Sequence, residues 1–153
     1  MDHLDKLDIQ ILRILQENSR LTTKEIAAKV NLTTTPVFER IKKLEKSGYI
    51  QRYTVVLDAE KLYLGFVVYC CVKLKMLNKT IADHFVKCMQ EVPQVSECYN
   101  ISGEYDYMLR VNVPDMKSYQ EFVLNTLGTI DSLGSLTSMF VMETIKKDLS
   151  LSF

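Results

Sequence analysis

The stretch TTKEIAAKVNLTTTPVFERIKKLEKSGY, residues 22–49, reads as two short helices joined by a tight turn. Thr22 and Glu25 have the spacing of a capping box, in which each side chain accepts a hydrogen bond from the other residue's backbone N–H. The pair therefore predicts the start of the first helix. Its narrow apolar stripe consists of Ile26, Ala27 and Val30.

The second helix follows a two-residue turn. Thr33 is its predicted N-cap, and its hydroxyl is expected to accept from the N–H of Thr35, because Pro36 has no N–H. Proline is tolerated there because the N–H groups of a first turn have no acceptor within the helix. Gly48 predicts the end of the helix.

One side of this second helix is apolar, and the other is polar and basic. A rotation of about 100° per residue places Val37, Ile41 and Leu44 on one stripe, which we expect to be buried. The opposite side carries Thr35, Glu39, Lys42 and Lys46, with Lys43 on its flank. Residues 24–52 hold seven Lys and Arg against three acids, a surplus of 7 − 3 = 4, on a chain with nineteen of each sign. Such a helix suits the DNA major groove, where cations meet phosphates and short hydroxyls approach base edges. The alternative is a solvated charged helix in a small helical domain.

Bulk properties are those of a globular protein. The 153 residues allow one ordinary domain or two small ones. No apolar run reaches the roughly 18 residues of a membrane span, and the start Met1-Asp2-His3 is acidic rather than signal-like. We therefore expect a cytoplasmic protein without a membrane partner.

Cysteine and histidine usage argues against a metal site, a cofactor and an enzyme. Cysteines 70, 71, 88 and 98 form no CxxC pair and have no histidine at ligand spacing. We interpret them as small hydrophobic residues, with a redox role as the alternative. An enzyme would have to use Glu104 and Asp106 as an acid and base, with Tyr105 or Tyr107, but no nucleophile, metal set or phosphate loop accompanies them.

The chain is expected to form two domains. A helix from Asp5 to about Gln16 precedes the opening stretch, and the alternation in residues 49–57 predicts a strand that leaves the helical unit. The predicted segments are a helix-turn-helix domain, a linker strand and turn, and a second domain, at residues 1–52, 53–65 and 66–153.

The second domain alternates strands and helices in the order strand, helix, strand, strand, helix, strand. One helix starts at Asn78 or Thr80 and stops before Pro93, and the other is capped by Asp115. The predicted strands are Phe66–Met76, Val95–Ile101, Tyr107–Val113 and Leu136–Ile145. This order is the split βαβ arrangement, an antiparallel sheet with both helices on one face. The fold class is therefore α+β.

The first strand of this sheet is apolar on both faces. Val67, Tyr69 and Cys71 alternate with Val68 and other apolar residues. We expect the helix-free face to pack against another subunit. The alternative is a central strand that the long linker shelters.

Several spaced motifs resemble those of the Lrp/AsnC family of transcription regulators. They are Leu4-Asp5 with Asp8 and Ile11-Leu12, the segment 32–48 around Thr35-Pro36-Val37, Arg40-Ile41 and Leu44-Glu45, then residues 102–107, Val113-Pro114-Asp115 and Val141-Met142-Glu143. The resemblance spans nearly the whole chain. It implies a winged-type helix-turn-helix domain followed by a ferredoxin-like βαββαβ domain for effector binding and oligomerisation.

The resemblance also implies partners. It implies a homodimer whose sheets face one another, commonly assembled into an octamer, on double-stranded DNA with two recognition helices in successive major grooves. The implied DNA-binding residues are Thr22, Thr23, Thr33, Thr34, Thr35, Glu39, Arg40, Lys42, Lys43 and Lys46. Thr34 and Thr35 would approach bases, and the three lysines would neutralise phosphates. Glu39 could accept from a cytosine amino group. For Arg40, an ion pair that braces the domain is an equal alternative.

The family's second domain binds small effectors, usually amino acids, at subunit interfaces near the turn between the second and third strands. The implied effector-binding residues are Ile101, Gly103, Glu104, Tyr105, Asp106, Thr137 and Ser138. Neighbours of Gly103 would offer N–H groups to an α-carboxylate. Glu104 and Asp106, two apart, would share a face where one takes the α-ammonium, and Thr137 and Ser138 would line the same cleft. The alternative is a solvated acidic hairpin turn.

We thus expect a sequence-specific DNA-binding regulator that responds to an amino acid or related metabolite. An architectural DNA-binding protein without ligand control is the main alternative, because it would share every DNA-binding residue. A sensing or assembly module that has lost DNA affinity is a third possibility, which the basic side of the second helix opposes.

Overall fold

The computed structural model describes residues 4–153, so the acidic start noted above, Met1–His3, lies outside the described residues. The chain divides into two compact units. The helical unit comprises the chain up to Val56 together with Lys146–Phe153, and the sheet unit comprises Leu57–Ile145. Within residues 4–153, no helix is long and apolar enough to cross a membrane.

Three helices form the helical unit, α1 (Lys6–Glu17), α2 (Thr23–Lys29) and α3 (Thr34–Lys46). The predicted capping box of α2 is confirmed, because Thr22 N donates to Glu25 Oε2 at 2.7 Å and Glu25 N donates to Thr22 Oγ1 at 3.3 Å. A second capping box joins Asp5 and Asp8 at the start of α1. The buried core consists of Ile11, Ile26, Ala27, Val37 and Leu44.

The start of α3 differs from the prediction, whereas its end agrees. Thr33 has the extended backbone of an N-cap, but its side chain makes no capping hydrogen bond. The expected bond from Thr35 N–H was therefore wrong; Thr33 and Thr35 are both exposed, so water can serve the first-turn N–H groups instead. Gly48 has φ +76°, the left-handed conformation that ends many helices.

The predicted linker strand, residues 49–57, was wrong. None of these residues pairs with a strand in the described part of the chain. The side chains of Tyr53, Val55, Val56 and Leu57 are at least half exposed. Alternation supplies the pattern of a strand but not the neighbouring strand that its N–H and C=O groups require.

The sheet unit has the predicted order of elements, β1 (Phe66–Leu74), α4 (Lys79–Gln90), β2 (Val95–Asn100), β3 (Tyr107–Val113), α5 (Met116–Asn125) and β4 (Leu133–Phe140), with a 3₁₀ turn at Leu127–Thr129. The strands lie in the order β2-β3-β1-β4, and every neighbouring pair is antiparallel. This is the ferredoxin-like arrangement, so the predicted fold class is confirmed.

β4 begins three residues earlier than predicted and ends five residues earlier, at Phe140 rather than Ile145. Gly134, which precedes the predicted start at Leu136, lies within β4 beside a register shift between Lys73 and Leu74. A Cβ on Gly134 would lie 3.0 Å from the backbone nitrogen of Lys75. The glycine therefore permits close backbone approach inside the strand rather than ending it.

Both helices of the sheet unit pack on one face of the sheet. Phe85 of α4 and Phe122 of α5 are buried there with Leu109 and Val111 of β3. The opposite, helix-free face carries apolar side chains, Val67, Tyr69, Cys71, Met108 and Met139. It also carries an ion pair between Arg110 and Glu97, 3.8 Å apart.

Candidate DNA interface and effector site

The polar side of α3 faces solvent, as predicted. Thr34 and Thr35 are exposed at its start, and Glu39, Lys42, Lys43 and Lys46 are exposed along its length. Val37 and Leu44 are buried on the other side. The buried stripe therefore fixes the rotation of α3 and leaves the predicted DNA-binding side free of core contacts.

Arg40 braces α3 against the start of α1. Its Nη1 atom donates to Asp5 Oδ2 and Asp8 Oδ1, both at 2.6 Å. Asp8 is buried, and these hydrogen bonds, to Asp8 first and Asp5 second, raise the pKa of Arg40. Of the two interpretations of Arg40, the structure shows the ion pair, and a DNA contact from this residue stays a prediction.

The two threonines before and at the start of α2 differ in their surroundings. The Thr22 hydroxyl donates to Glu25 Oε2 at 2.7 Å and also accepts from Glu25 N. Thr23 is the first residue of α2 and is half-buried. The Thr22 hydroxyl is thus engaged in the capping box.

An aromatic residue that the sequence analysis did not single out lies on the exposed side of α3. Phe38 is 45% exposed, and the Lys42 Nζ atom lies 5.1 Å from the centroid of its ring. This distance is within the range of a cation–π contact. The sequence signal was available, since Phe38 follows Thr35 by three residues and precedes Lys42 by four.

In the sheet unit, the turn at residues 101–106 is closed by its own backbone. Ile101 N donates to the carbonyl of Asp106 at 3.0 Å, and Asn100 Nδ2 donates to the same carbonyl at 2.9 Å. Asp106 N in turn donates to the carbonyl of Val72 at 2.9 Å. The turn between β2 and β3 is therefore fastened to β1.

The Asp106 carboxylate is part of this fastening. Asp106 is buried, and its Oδ2 accepts from Leu74 N at 2.8 Å. Lys73 Nζ lies 3.9 Å from Asp106 Oδ1 and donates to the carbonyl of Glu104 at 2.7 Å. The Glu104 side chain is exposed. The expectation that Glu104 and Asp106 share a face was wrong, because the turn is bent rather than extended and directs Asp106 towards the β1 backbone.

The exposed part of the turn leaves donors available. Gly103 has φ +122°, and a Cβ built on it would meet nothing within 4 Å. Within residues 4–153, the N–H groups of Gly103, Glu104 and Tyr105 have no hydrogen-bond acceptor. Successive unpaired N–H groups at a turn form an anion-binding concavity.

Thr137 and Ser138 of β4 lie on opposite faces of the sheet. The hydroxyls of Tyr105 and Thr137 are 2.8 Å apart, so the turn and β4 meet on the helix-free side. Ser138 Oγ is instead 2.5 Å from the hydroxyl of Tyr119 in α5. The expected shared cleft was wrong for this pair, because adjacent residues of a strand point in opposite directions.

Ser138 belongs to a hydrogen-bonded chain in the core. The Tyr119 hydroxyl is also 2.9 Å from Cys70 Sγ, so two strands, β1 and β4, and one helix, α5, meet through polar groups under the sheet. Burial raises the pKa of the Cys70 thiol to about 11. Among the described residues, no group of three or more His, Cys, Asp or Glu could hold a metal ion.

Two protein-family models match the chain. Residues 4–51 match a winged helix-turn-helix DNA-binding model, and residues 67–151 match the Lrp/AsnC ligand binding domain. Together they cover α1 to α3 and all of the sheet except Phe66.

Relatives resemble the chain along almost its full length. The DNA-binding transcriptional activator DecR of Escherichia coli K12 is 38% identical over 148 residues, which is 97% of each chain. Among solved structures, a transcriptional regulator of Neisseria meningitidis in complex with L-Met has a TM-score of 0.93 and 35% identity, covering 98% of this chain and 97% of that one. An AsnC family transcriptional regulator of Agrobacterium tumefaciens has a TM-score of 0.92 and 38% identity, covering 97% of each chain.

Proposed function

The chain belongs to the Lrp/AsnC family of DNA-binding transcriptional regulators, and from this premise we propose that an amino acid bound at the 101–106 turn controls its binding to DNA. The observation that carries the proposal is the turn itself. It is fastened to β1 by Asp106 and Lys73, yet it leaves three N–H groups and the Glu104 carboxylate available. A rigid support with unpaired donors and an unpaired acid is what a small zwitterion requires.

DNA is bound through α3 in the major groove. Thr34 and Thr35, at its start, approach base edges, and Glu39 accepts from a cytosine amino group. Lys42, Lys43 and Lys46 neutralise phosphates along the helix. Thr23 at the start of α2 and Thr33 before α3 contact the DNA backbone through N–H groups or hydroxyls. Thr22, whose N–H and hydroxyl both donate to Glu25, contributes by holding the start of α2.

The effector is held by opposite charges at its two ends. Its α-carboxylate accepts from the N–H groups of Gly103, Glu104 and Tyr105, and its α-ammonium pairs with the Glu104 carboxylate. Tyr105 and Thr137 lie beside it, joined through their hydroxyls. That the Neisseria meningitidis relative was solved with L-Met supports an amino acid as the ligand class.

The helix-free face of the sheet is the dimer interface in this proposal. Tyr69, Met108 and Met139 supply an apolar surface that a single subunit leaves to solvent. The turn and Thr137 lie on the same side, so a partner subunit there would complete the effector site. An effector at this interface changes how dimers associate, into octamers or otherwise, and hence the spacing of the α3 helices along DNA. We also propose that the protein acts in the cytoplasm and catalyses no reaction.

The effector proposal is tested by titrating each of the twenty amino acids into the purified protein while calorimetry records binding. A Glu104→Gln variant removes the charge and keeps the shape, and Glu121→Gln on exposed α5 is the matched control. We expect one or a few amino acids to bind the wild type and the control, and to bind Glu104→Gln at least tenfold more weakly. Equal binding to all three proteins would remove Glu104 from the site. Binding by none of the twenty would favour an effector-independent architectural protein.

A further inference from the structure

Phe38 is an apolar side chain on the polar side of a DNA-binding helix. It is 45% exposed, and its helical neighbours on that side are Thr35, Glu39 and Lys42. Single exposed apolar residues are common on protein surfaces, so exposure by itself indicates nothing. The position of Phe38 along α3 is what distinguishes it.

Thr35, Phe38, Glu39 and Lys42 have the spacing i, i+3, i+4, i+7. Residues with this spacing form one stripe along a helix. A homeodomain's third helix reads the major groove with four residues at the same spacing. Phe38 is therefore one of the two central members of the stripe that faces the base edges when α3 lies in the groove.

The chemistry of the ring restricts what it can read. A phenyl ring has no hydrogen-bond donor or acceptor for a base edge, and in the major groove the apolar feature is the C5-methyl group of thymine. We propose that Phe38 is a specificity-determining residue that reads a thymine methyl group in each half of the DNA site. This inference rests on the proposed placement of α3 in the major groove.

The contact with Lys42 supports this role. The Lys42 ammonium lies 5.1 Å from the ring centroid, over the face of the ring. The ammonium covers one face of the ring, so the exposed remainder of the ring is available to a methyl group. Phe38 thus orients a cation for the neighbouring phosphate and reads a base at the same time.

The test removes one methyl group from the DNA. Full-length protein first selects its site from a pool of random-sequence duplexes, and each thymine of the selected site is then replaced by uracil in turn, which deletes only the C5-methyl group. We expect one thymine in each half-site at which uracil weakens wild-type binding about fourfold, the effect of one buried methyl group.

Variants identify the residue that senses the methyl group. Phe38→Ala should bind the selected site more weakly and should not distinguish thymine from uracil at that position. Phe38→Leu keeps an apolar contact and should still distinguish them, as should Lys42→Ala, which retains the ring. Thermal unfolding of each variant confirms that it folds, and the uracil series on wild-type protein requires no variant.

Three results would overturn the proposal. They are a selected site without a fixed thymine, wild-type binding that is indifferent to uracil at every position, and a Phe38→Ala variant as sensitive to uracil as the wild type. Failure of the underlying DNA interface has a different signature. In that case Thr35→Ala and Lys42→Ala would also bind DNA with the same affinity as the wild type.

Discussion

Replacing Arg40 by alanine should loosen α1 from α3 in the helical unit. In the structure, one guanidinium nitrogen donates to both Asp5 and Asp8 at 2.6 Å. Alanine deletes these bonds, and within residues 4–153 the buried Asp8 carboxylate then keeps only its capping-box contact to Asp5 N, at 3.2 Å. A carboxylate that loses its cation in a buried position destabilises the fold more than an exposed one does.

The expected loss of stability comes mainly from the hydrogen bond between Arg40 and Asp8. The Asp8 side chain is 11% exposed and that of Arg40 is 32% exposed, so solvent screens this bond only in part. A hydrogen bond to a charged group at such a site contributes about 2 kcal/mol. The Asp5 side chain is half exposed, so its bond to Arg40 adds little to the stability. A loss of about 2 kcal/mol lowers the hydrogen-exchange protection of α1 and α3 about thirtyfold.

Hydrogen exchange read by mass spectrometry measures this loss for each segment. We expect the protection of residues 6–17 and 34–46 to fall in Arg40→Ala, while β1 and β3 of the sheet unit keep theirs. Arg20→Ala, which removes an exposed arginine between α1 and α2, serves as the matched control and should leave all segments unchanged.

A different outcome would refute the reasoning. If Arg40→Ala keeps full protection, binds DNA more weakly and has a salt dependence lower by about one ion, Arg40 is a phosphate contact and not a brace. The combined variant Arg40→Ala with Asp8→Asn gives a further check. It should recover part of the lost protection, because asparagine removes the buried charge that Arg40 neutralised.

Three further predictions concern the sheet unit. The hydrogen bond from the Ser118 N–H lowers the pKa of Asp115 below its ordinary value of 3.8. The stabilisation that ionised Asp115 gives to α5 is therefore present above pH 3.8 and is lost as the pH falls through the lowered pKa. An acid titration followed by circular dichroism should show this loss below about pH 4, and Asp115→Asn, which keeps a capping oxygen, should not show it. Asp106→Ala leaves the buried N–H of Leu74 without its acceptor and should reduce the free energy of unfolding by about 2 kcal/mol in urea, an expectation that an unchanged midpoint would contradict. Burial and a raised pKa of about 11 should make the Cys70 thiol resist alkylation at about pH 8 in the native protein, and labelling as fast as in the unfolded chain would show otherwise.

Local patterns predicted the elements well. The Thr22 and Glu25 pair, the left-handed Gly48 and the caps Asn78 and Asp115 are local devices, so their spacing in the sequence was sufficient. The residues of β3 alternate between buried and half-buried positions because the helices cover one side of the sheet. The prediction of a linker strand failed because a strand must pair with a neighbouring strand, which the sequence of one segment does not specify.

Tertiary contacts decided the details of the candidate sites. From the sequence, Asp106 is expected to be an exposed acidic residue of a turn. In the structure, the bend of the turn and the hydrogen bond from the Leu74 N–H bury its carboxylate. Thr137 and Ser138 appear equivalent as adjacent hydroxyls, and only the register of β4 against β1 shows which one meets Tyr105. Arg40 could have been assigned to either role until α1 and α3 were packed together.

The most direct test of amino-acid-controlled DNA binding is a salt titration of full-length protein on the DNA upstream of its own gene, with and without a mixture of amino acids. We predict affinity that falls steeply with salt, because the α3 lysines displace counterions, and a shift of the curve when the mixture is present. Lys42→Ala should reduce the slope by about one, while Lys79→Ala on α4 should not. DNA affinity that falls steeply with salt but is unchanged by the amino acids would contradict effector control and favour the architectural alternative. A salt slope for Lys42→Ala identical to that of the wild type would contradict the proposed DNA-facing side of α3.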